Sequence, residues 1–230
     1  MEEIFKNYHQ VSSWPPIRKP DGIHKKKKHD TAELVKLNYQ KLNQELVNSL
    51  IGRKSAKAIK KGELSKDELG TFLKWSVGIG SSNRRTYPSA GGLYTNQVFI
   101  VANEVDGITE GVYSYLPDEH ALQHEKGAVQ IKDALVQSDI DCNFCLIIAA
   151  NIGNAASHYG ERSYRFCLLE AGHMVQNIML VANALHHAVA PIGGFKDSVV
   201  NEQLLPKHKS LSAFYLVPVG FSCKWNEAME

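Results

Sequence analysis

Apolar positions along the chain follow a helical period in some stretches and form short continuous runs in others. Between residues 31 and 50, Leu34, Leu37, Leu42, Leu46 and Leu50 recur at helical spacing, which predicts an amphipathic helix. In "ELSKDELGTFLKWSVGIG", Ser65 stands three residues before Glu68, the spacing of a capping box. Leu69, Phe72, Leu73 and Val77 then line one face, and Gly78 and Gly80 stop the helix. A longer helical pattern runs from about Arg162 to His187. Its apolar set, Leu168, Leu169, Val175, Ile178, Met179, Ala182 and Leu185, spreads nearly all round, which predicts a helix buried through the middle of the fold or at a dimer interface. Apolar runs predict strands at 97–102, 111–115, 144–150 and 213–219. Strands interleaved with helices predict an α/β or α+β sheet protein.

The composition is that of an ordinary globular chain: 230 residues, 43% hydrophobic and 22% charged, enough for one sizeable core. A net charge of +2 gives no reason to expect nucleic acid as a partner. No apolar run reaches the ~18 residues of a membrane span, and "MEEIFKNYHQ" lacks the apolar core of a signal peptide. The expected location is cytoplasmic. The four cysteines, Cys142, Cys145, Cys167 and Cys223, are then reduced thiols, and the C-x-x-C pair at 142 and 145 reads as two small hydrophobes at the mouth of a strand. Residues 1 to about 30, with Trp14-Pro15-Pro16, Pro20 and the run Lys25 to Lys28, read as an irregular, solvated basic arm. The expected division is an N-terminal arm and helix over 1–50 and a main domain over 51–230.

Four stretches carry candidate chemistry. Arg53-Lys54-Ser55-Ala56-Lys57 gathers three cations and a hydroxyl, equipment suited to a phosphate monoester, although solvated segments of this composition are common. Pro88-Ser89-Ala90-Gly91-Gly92 is almost free of side-chain bulk just before a strand, as a backbone must be where another chain segment or a flat ligand comes close. Neither a phosphate-loop lysine nor a G-x-G-x-x-G follows it. Residues 158 to 177 crowd titratable groups: His158, Tyr159, Glu161, Arg162, Tyr164 and Arg165, then Glu170 and His173 as an E-x-x-H pair. A di-iron site needs two such helices and only one is present, so the pair reads as a polar contact in a helix interface. Pro191-Ile192-Gly193-Gly194-Phe195 bares the backbone a second time.

In this order and spacing, the four stretches resemble the FMN-dependent nitroreductase superfamily, and more narrowly the SagB-type dehydrogenases, which include the oxidases of thiazole/oxazole-modified peptide biosynthesis. "GVYSYLPDEHAL" and the N-terminal "NYHQVSS" also match that subgroup. The resemblance implies an α+β sandwich, with a central antiparallel-rich sheet flanked by helices, forming an intertwined homodimer with FMN at its interface. It implies Arg53, Ser55 and Lys57, with Lys54 alongside, at the FMN phosphate. It puts Pro88, Ser89, Ala90 and Gly91 against the isoalloxazine, backbone N–H groups of Gly193 and Gly194 near flavin N5, and Lys224 as a further phosphate contact. A lysine-tyrosine pair implicated in base catalysis in that subgroup reads His158-Tyr159 here: the tyrosine matches and the lysine does not.

The function implied is azoline dehydrogenation in a modified peptide, with hydride passing to the flavin, Tyr159 helped by His158 removing the proton, and a cyclodehydratase as a possible partner. An NAD(P)H-dependent nitroreductase or quinone reductase is the second enzymatic reading. A non-catalytic scaffold of a biosynthetic complex is the third.

Overall fold

The computed structural model describes residues 7–8, 37–80 and 83–222. The basic arm with Lys25 to Lys28, most of "NYHQVSS", Cys223 and Lys224 lie outside the described residues. The core is a six-stranded sheet, antiparallel throughout, in the order β3-β2-β1-β4-β6-β5. Its strands are β1 (Asn96–Ala102), β2 (Gly111–Leu116), β3 (Ala121–Gly127), β4 (Phe144–Ala150), β5 (Ala188–Val189) and β6 (Ser212–Gly220). With the helices packed on it, this is an α+β fold.

Strand β4 shows why the sheet has two covered faces. All seven of its residues are buried. Phe144, Leu146, Ile148 and Ala150 enter one core, while Cys145, Ile147 and Ala149 enter the other. A strand buried on both sides reads as a continuous apolar run, because its period-two alternation distributes hydrophobic residues to both faces. The same burial raises the Cys142 thiol to about 12 and pushes Cys145 well above its ordinary range, so both are inert packing groups.

The first core is closed by α2 (Lys66–Val77) and α4 (Arg162–Ala184). Helix α2 starts at the expected box: Ser65 Oγ accepts from Glu68 N–H at 3.2 Å, and Ser65 N–H donates to Glu68 Oε2 at 2.9 Å. On α4, Cys167, Ala171, Met174, Ile178 and Ala182 are fully buried along one stripe, whereas Leu168 and Leu169 are 40% and 53% exposed. The all-round apolar pattern therefore divides into a sheet-facing stripe and an uncovered one.

Two sequence expectations are corrected; residues 31–36 of the first, with Leu34, lie outside the described residues. The helix expected over 31–50 is α1 (Gln44–Gly52): residues 37–43 are not helical, and Asn43 caps the start by accepting Leu46 N–H at 3.1 Å. Leu37, Leu42, Leu46 and Leu50 are all exposed. The long helix stops at Ala184, short of His187, since His186 takes a left-handed φ of +59°. Elements not foreseen include β5 and two longer ones. One is the edge strand β3, whose polar "ALQHEKG" gains its extended form from pairing with β2. The other is α3 (Ile152–Tyr159), capped by Asn151, whose side chain accepts Asn154 N–H at 3.1 Å. Among the described residues no helix is long and apolar enough to cross a membrane.

Candidate functional site

The side-chain-poor turn is built around a buried carboxylate. Ala90–Gly92 forms a single 3-10 turn, with Gly91 at φ +58° and Gly92 at φ +70°, so two successive residues occupy the left-handed region that glycine enters without strain. Ser89 Oγ accepts Tyr94 N–H at 2.9 Å and itself donates to Glu170 of α4. Glu170, only 2% exposed, also accepts Asn96 N–H at 2.8 Å and Thr95 N–H at 3.3 Å. The Ser89 hydroxyl proton is thus directed inward, and it is the backbone of Ala90, Gly91 and Gly92 that faces out.

Tyr159, the last residue of α3, stands over this turn. A Cβ on Gly91 would overlap the Tyr159 hydroxyl. The phenol ring is packed edge-on against Phe166, 5.0 Å between centroids. His158 is exposed, and its Nδ1 pairs with Ser157 Oγ at 2.9 Å. The structure brings Tyr159 to the Pro88–Gly91 segment; it gives His158 a different neighbour.

The cationic segment leaves α1 and is fixed by backbone pairing. Ala56 N–H donates to Val189 O at 2.8 Å, and Lys60 exchanges hydrogen bonds with Phe221. Arg53 caps the helix and its Nη1 lies 3.8 Å from Met179 Sδ. Lys54, Ser55 and Lys57 line a cavity of about 410 Å³ together with Asn183 and His187. His187 is 6% exposed, lies between the rings of Phe72 and Phe221, and its Nδ1 has no hydrogen-bond partner among the described residues. Burial holds its pKa below the ordinary histidine value, which favours the neutral imidazole. Cations, a hydroxyl and an orphaned ring nitrogen around one cavity suit a ligand that is both anionic and rich in hydrogen-bonding oxygens.

Gly193 and Gly194 are exposed just after β5, beyond Ile192, which is locked to Leu216 by hydrogen bonds of 2.8 and 3.0 Å. A Cβ on Gly193 would meet nothing within 4 Å, and its φ is not left-handed. Among the described residues, neither backbone conformation nor packing calls for a glycine at 193.

The candidate residues form two groups. Arg53 to Lys57 sit with β5 near the C-terminal end of α4; Ser89 to Gly91 and Tyr159 sit near its N-terminal half. Glu170 and Asn183, which mark the two groups, are thirteen residues apart, ~20 Å along a helix.

Sequence reasoning missed the roles of Glu170, Asn183 and His187. Glu170 was visible only as half of an E-x-x-H pair, whose His173 proves exposed. Among the described residues no cluster of three or more metal-ligating side chains occurs. A buried carboxylate with backbone donors for partners leaves no spacing signal, because its partners lie more than seventy residues away.

With that geometry in place, similarity to known proteins is informative. The nitroreductase family model matches residues 50–221. The chain is 33% identical over 197 residues to MJ1384 of Methanocaldococcus jannaschii, a protein named as a nitroreductase, covering 83% of this chain and 97% of that one. It is 32% identical over 129 residues to the microcin B17-processing protein McbC of Escherichia coli, a match that spans 52% of this chain and 47% of McbC. A chain of the E. coli microcin synthetase McbBCD complex with truncated pro-MccB17 bound has the same fold, with a TM-score of 0.67 over 88% of this chain and 78% of that chain at 22% identity. So does an FMN-dependent nitroreductase of Clostridium difficile, with a TM-score of 0.51 over 77% of this chain and 88% of that chain at 15% identity.

Proposed function

The chain belongs to the nitroreductase family of oxidoreductases, and from that premise we propose that it is an FMN-dependent dehydrogenase of the SagB type. Its substrate is a thiazoline or oxazoline ring in a modified peptide, which it aromatises to the azole. The observation that carries this reading is Tyr159 standing on Gly91: a phenol hydroxyl is fixed beside the side-chain-poor turn that we assign to the flat ring. The partial match to McbC, a microcin B17-processing protein, supports a peptide substrate.

The residues fit FMN. Arg53, Lys54, Ser55 and Lys57 would hold the phosphate, with Lys224 as a further cation and His187 Nδ1 offered to an oxygen of the ribityl phosphate tail. Gly193 and Gly194 would offer backbone N–H groups to the ring edge, and Pro88 to Gly91 would wall the ring. Bound FMN supplies a two-electron acceptor for hydride, with dioxygen as the oxidant that regenerates it. The chain's own task is to position the substrate and to take the proton released with the hydride. Tyr159 would do so at its phenolic oxygen while giving up its own hydroxyl proton to solvent, with the exposed His158 as the nearby base that could accept it.

The site is completed by a second copy of the chain. The proposed phosphate-binding group and ring-walling turn lie ~20 Å apart along α4, and a two-fold dimer can place one protomer's turn against its partner's cations. The exposed Leu46, Leu50 and Ile51 of α1, with Leu168 and Leu169 of α4, supply the apolar surface for that contact. The proposed division keeps an N-terminal segment over 1–50 and a catalytic domain over 51–230, with α1 (Gln44–Gly52) crossing that boundary, and a cyclodehydratase is the partner that would supply the azoline.

Incubation of FMN-loaded protein with an azoline-containing peptide under anaerobic conditions tests the reading. Bleaching of the flavin by the peptide, with a loss of 2 Da from it as expected for removal of two hydrogens, is the expected result. A second reading, NAD(P)H-dependent reduction of quinones or nitroaromatics, is favoured by the near full-length match to MJ1384. Bleaching by NAD(P)H alone, with the peptide inert, would establish it instead.

A further inference from the structure

We propose that Glu170 is the positioning residue of the turn that faces the cofactor. Through one carboxylate it closes the segment from Ser89 to Asn96 into a loop and holds the backbone of Ala90 to Gly92 outward under Tyr159. What the turn faces rests on the flavin reading; the clamp itself does not.

The two oxygens divide the work. Glu170 Oε2 takes the Ser89 hydroxyl and the Thr95 N–H, with Thr95 Oγ1 at 3.5 Å; Oε1 takes the Asn96 N–H at 2.8 Å and Asn96 Nδ2 at 3.1 Å. Asn96 Nδ2 also donates to Cys167 O at 3.0 Å, so its side chain bridges the carboxylate and a carbonyl of α4. Every group presented to Glu170 from the turn is a donor. A carboxylate accepts only, with about four lone-pair directions, so it can satisfy such a set. A glutamine of the same shape cannot: whichever way its amide is turned, an N–H would confront the N–H of Thr95 or of Asn96.

The consequence reaches the outward face. Ser89 and Asn96 are the two feet of the loop, and both rest on Glu170. Gly91, at the loop's tip, has no room for a Cβ because the Tyr159 hydroxyl occupies that place. Loosening the feet therefore moves both the ring wall and the tyrosine that stands on it. Glu170 is buried beneath the loop and reaches that outer face only through Ser89, Thr95 and Asn96.

The test compares wild type with Glu170→Gln. FMN affinity is read by quenching of flavin fluorescence, the bound flavin's visible absorption band by its shape, and backbone protection by hydrogen exchange over residues 93–97 in the FMN-free protein. Expected are exchange accelerated at least tenfold at Thr95 and Asn96, an FMN Kd raised at least tenfold and an altered band shape. Faster exchange with an unchanged Kd and band overturns the positioning role, leaving a purely structural carboxylate. Unchanged exchange overturns the clamp. If wild type itself binds no FMN, the flavin reading fails separately, and the exchange measurement still decides the clamp. Should Glu170→Gln not fold, Ser89→Ala removes one foot alone. The same changes at about threefold are expected there, and no change overturns the proposal.

Discussion

The hydroxyl of Tyr159 occupies the place where a Cβ of residue 91 would sit. Residues 68 positions apart in sequence are thus matched as knob and hole, by the end of α3 and the tip of the Ser89–Asn96 loop. Gly91 is doubly specified, by that contact and by its φ of +58°.

Replacing Gly91 by Ala should therefore act twice. The left-handed backbone costs an alanine roughly 1–2 kcal/mol, and the methyl group displaces the phenol. The expected outcome is a lower melting temperature by calorimetry together with a loss of substrate turnover larger than the stability change explains.

Tyr159→Phe removes only the hydroxyl and keeps the packing on Phe166. The variant should retain FMN but reduce flavin with azoline peptide ~100-fold more slowly in anaerobic stopped-flow, the scale of a lost proton-transfer group. Wild-type rates in this variant would remove Tyr159 from the chemistry.

Arg53→Ala and Lys57→Ala should each yield protein that folds but loses FMN on gel filtration. A phosphate monoester carries roughly −1.5 to −2 charges at neutral pH, and these cations are its complement. Flavin occupancy equal to wild type in both would take the segment out of the site.

His187 should make stability depend on pH. Burial lowers its folded pKa, with Glu68 opposing and His186 adding to that shift. The unfolded chain therefore takes up a proton that the folded chain refuses, and stability falls as pH drops below the ordinary value of 6.5. Melting temperatures between pH 8 and pH 5, with His187→Gln as control, should show a decline in wild type that the variant flattens.

Ser65→Ala tests the reach of the local signals. Losing the cap should cost about 1 kcal/mol in denaturant unfolding with little change in flavin affinity, because the contact of α2 with the site, Phe72 against His187, lies seven residues beyond the cap.

How much of this was legible differs from element to element. The helix from Ser65 announced itself because its cap, its first-turn Glu68 and its apolar stripe are all local in sequence. Strand β4 did so because burial on both faces demands an unbroken apolar run. Strand β3 gave no signal: an edge strand with one partner needs few apolar residues, and its hydrogen bonds to β2 are indifferent to side chains. Leu37 and Leu42 misled in the other direction, since their spacing continues a helical one while residues 37–43 are not helical and both leucines are exposed. At the site, Arg53 to Lys57 and the two glycine-bearing turns were readable because cations and missing side chains are visible residue by residue. Glu170 and His187 were not, because one acts through donors from a distant loop and the other through a ring nitrogen that burial leaves without a partner.

The sequence by itself determined the alternation of helices and strands, the capped start of α2, the doubly buried β4 and the types of residue offered to a ligand, since each follows from periodicity or composition within a few residues. Only the tertiary structure decided that a glutamate of α4 anchors the loop, that Tyr159 fits the gap at Gly91, and that the Arg53–Lys57 segment and the Ser89–Asn96 loop meet the same helix ~20 Å apart. Those relations are set by how the helices and loops pack across the sheet, and the packing joins residues whose separation along the chain carries no record of their distance in space.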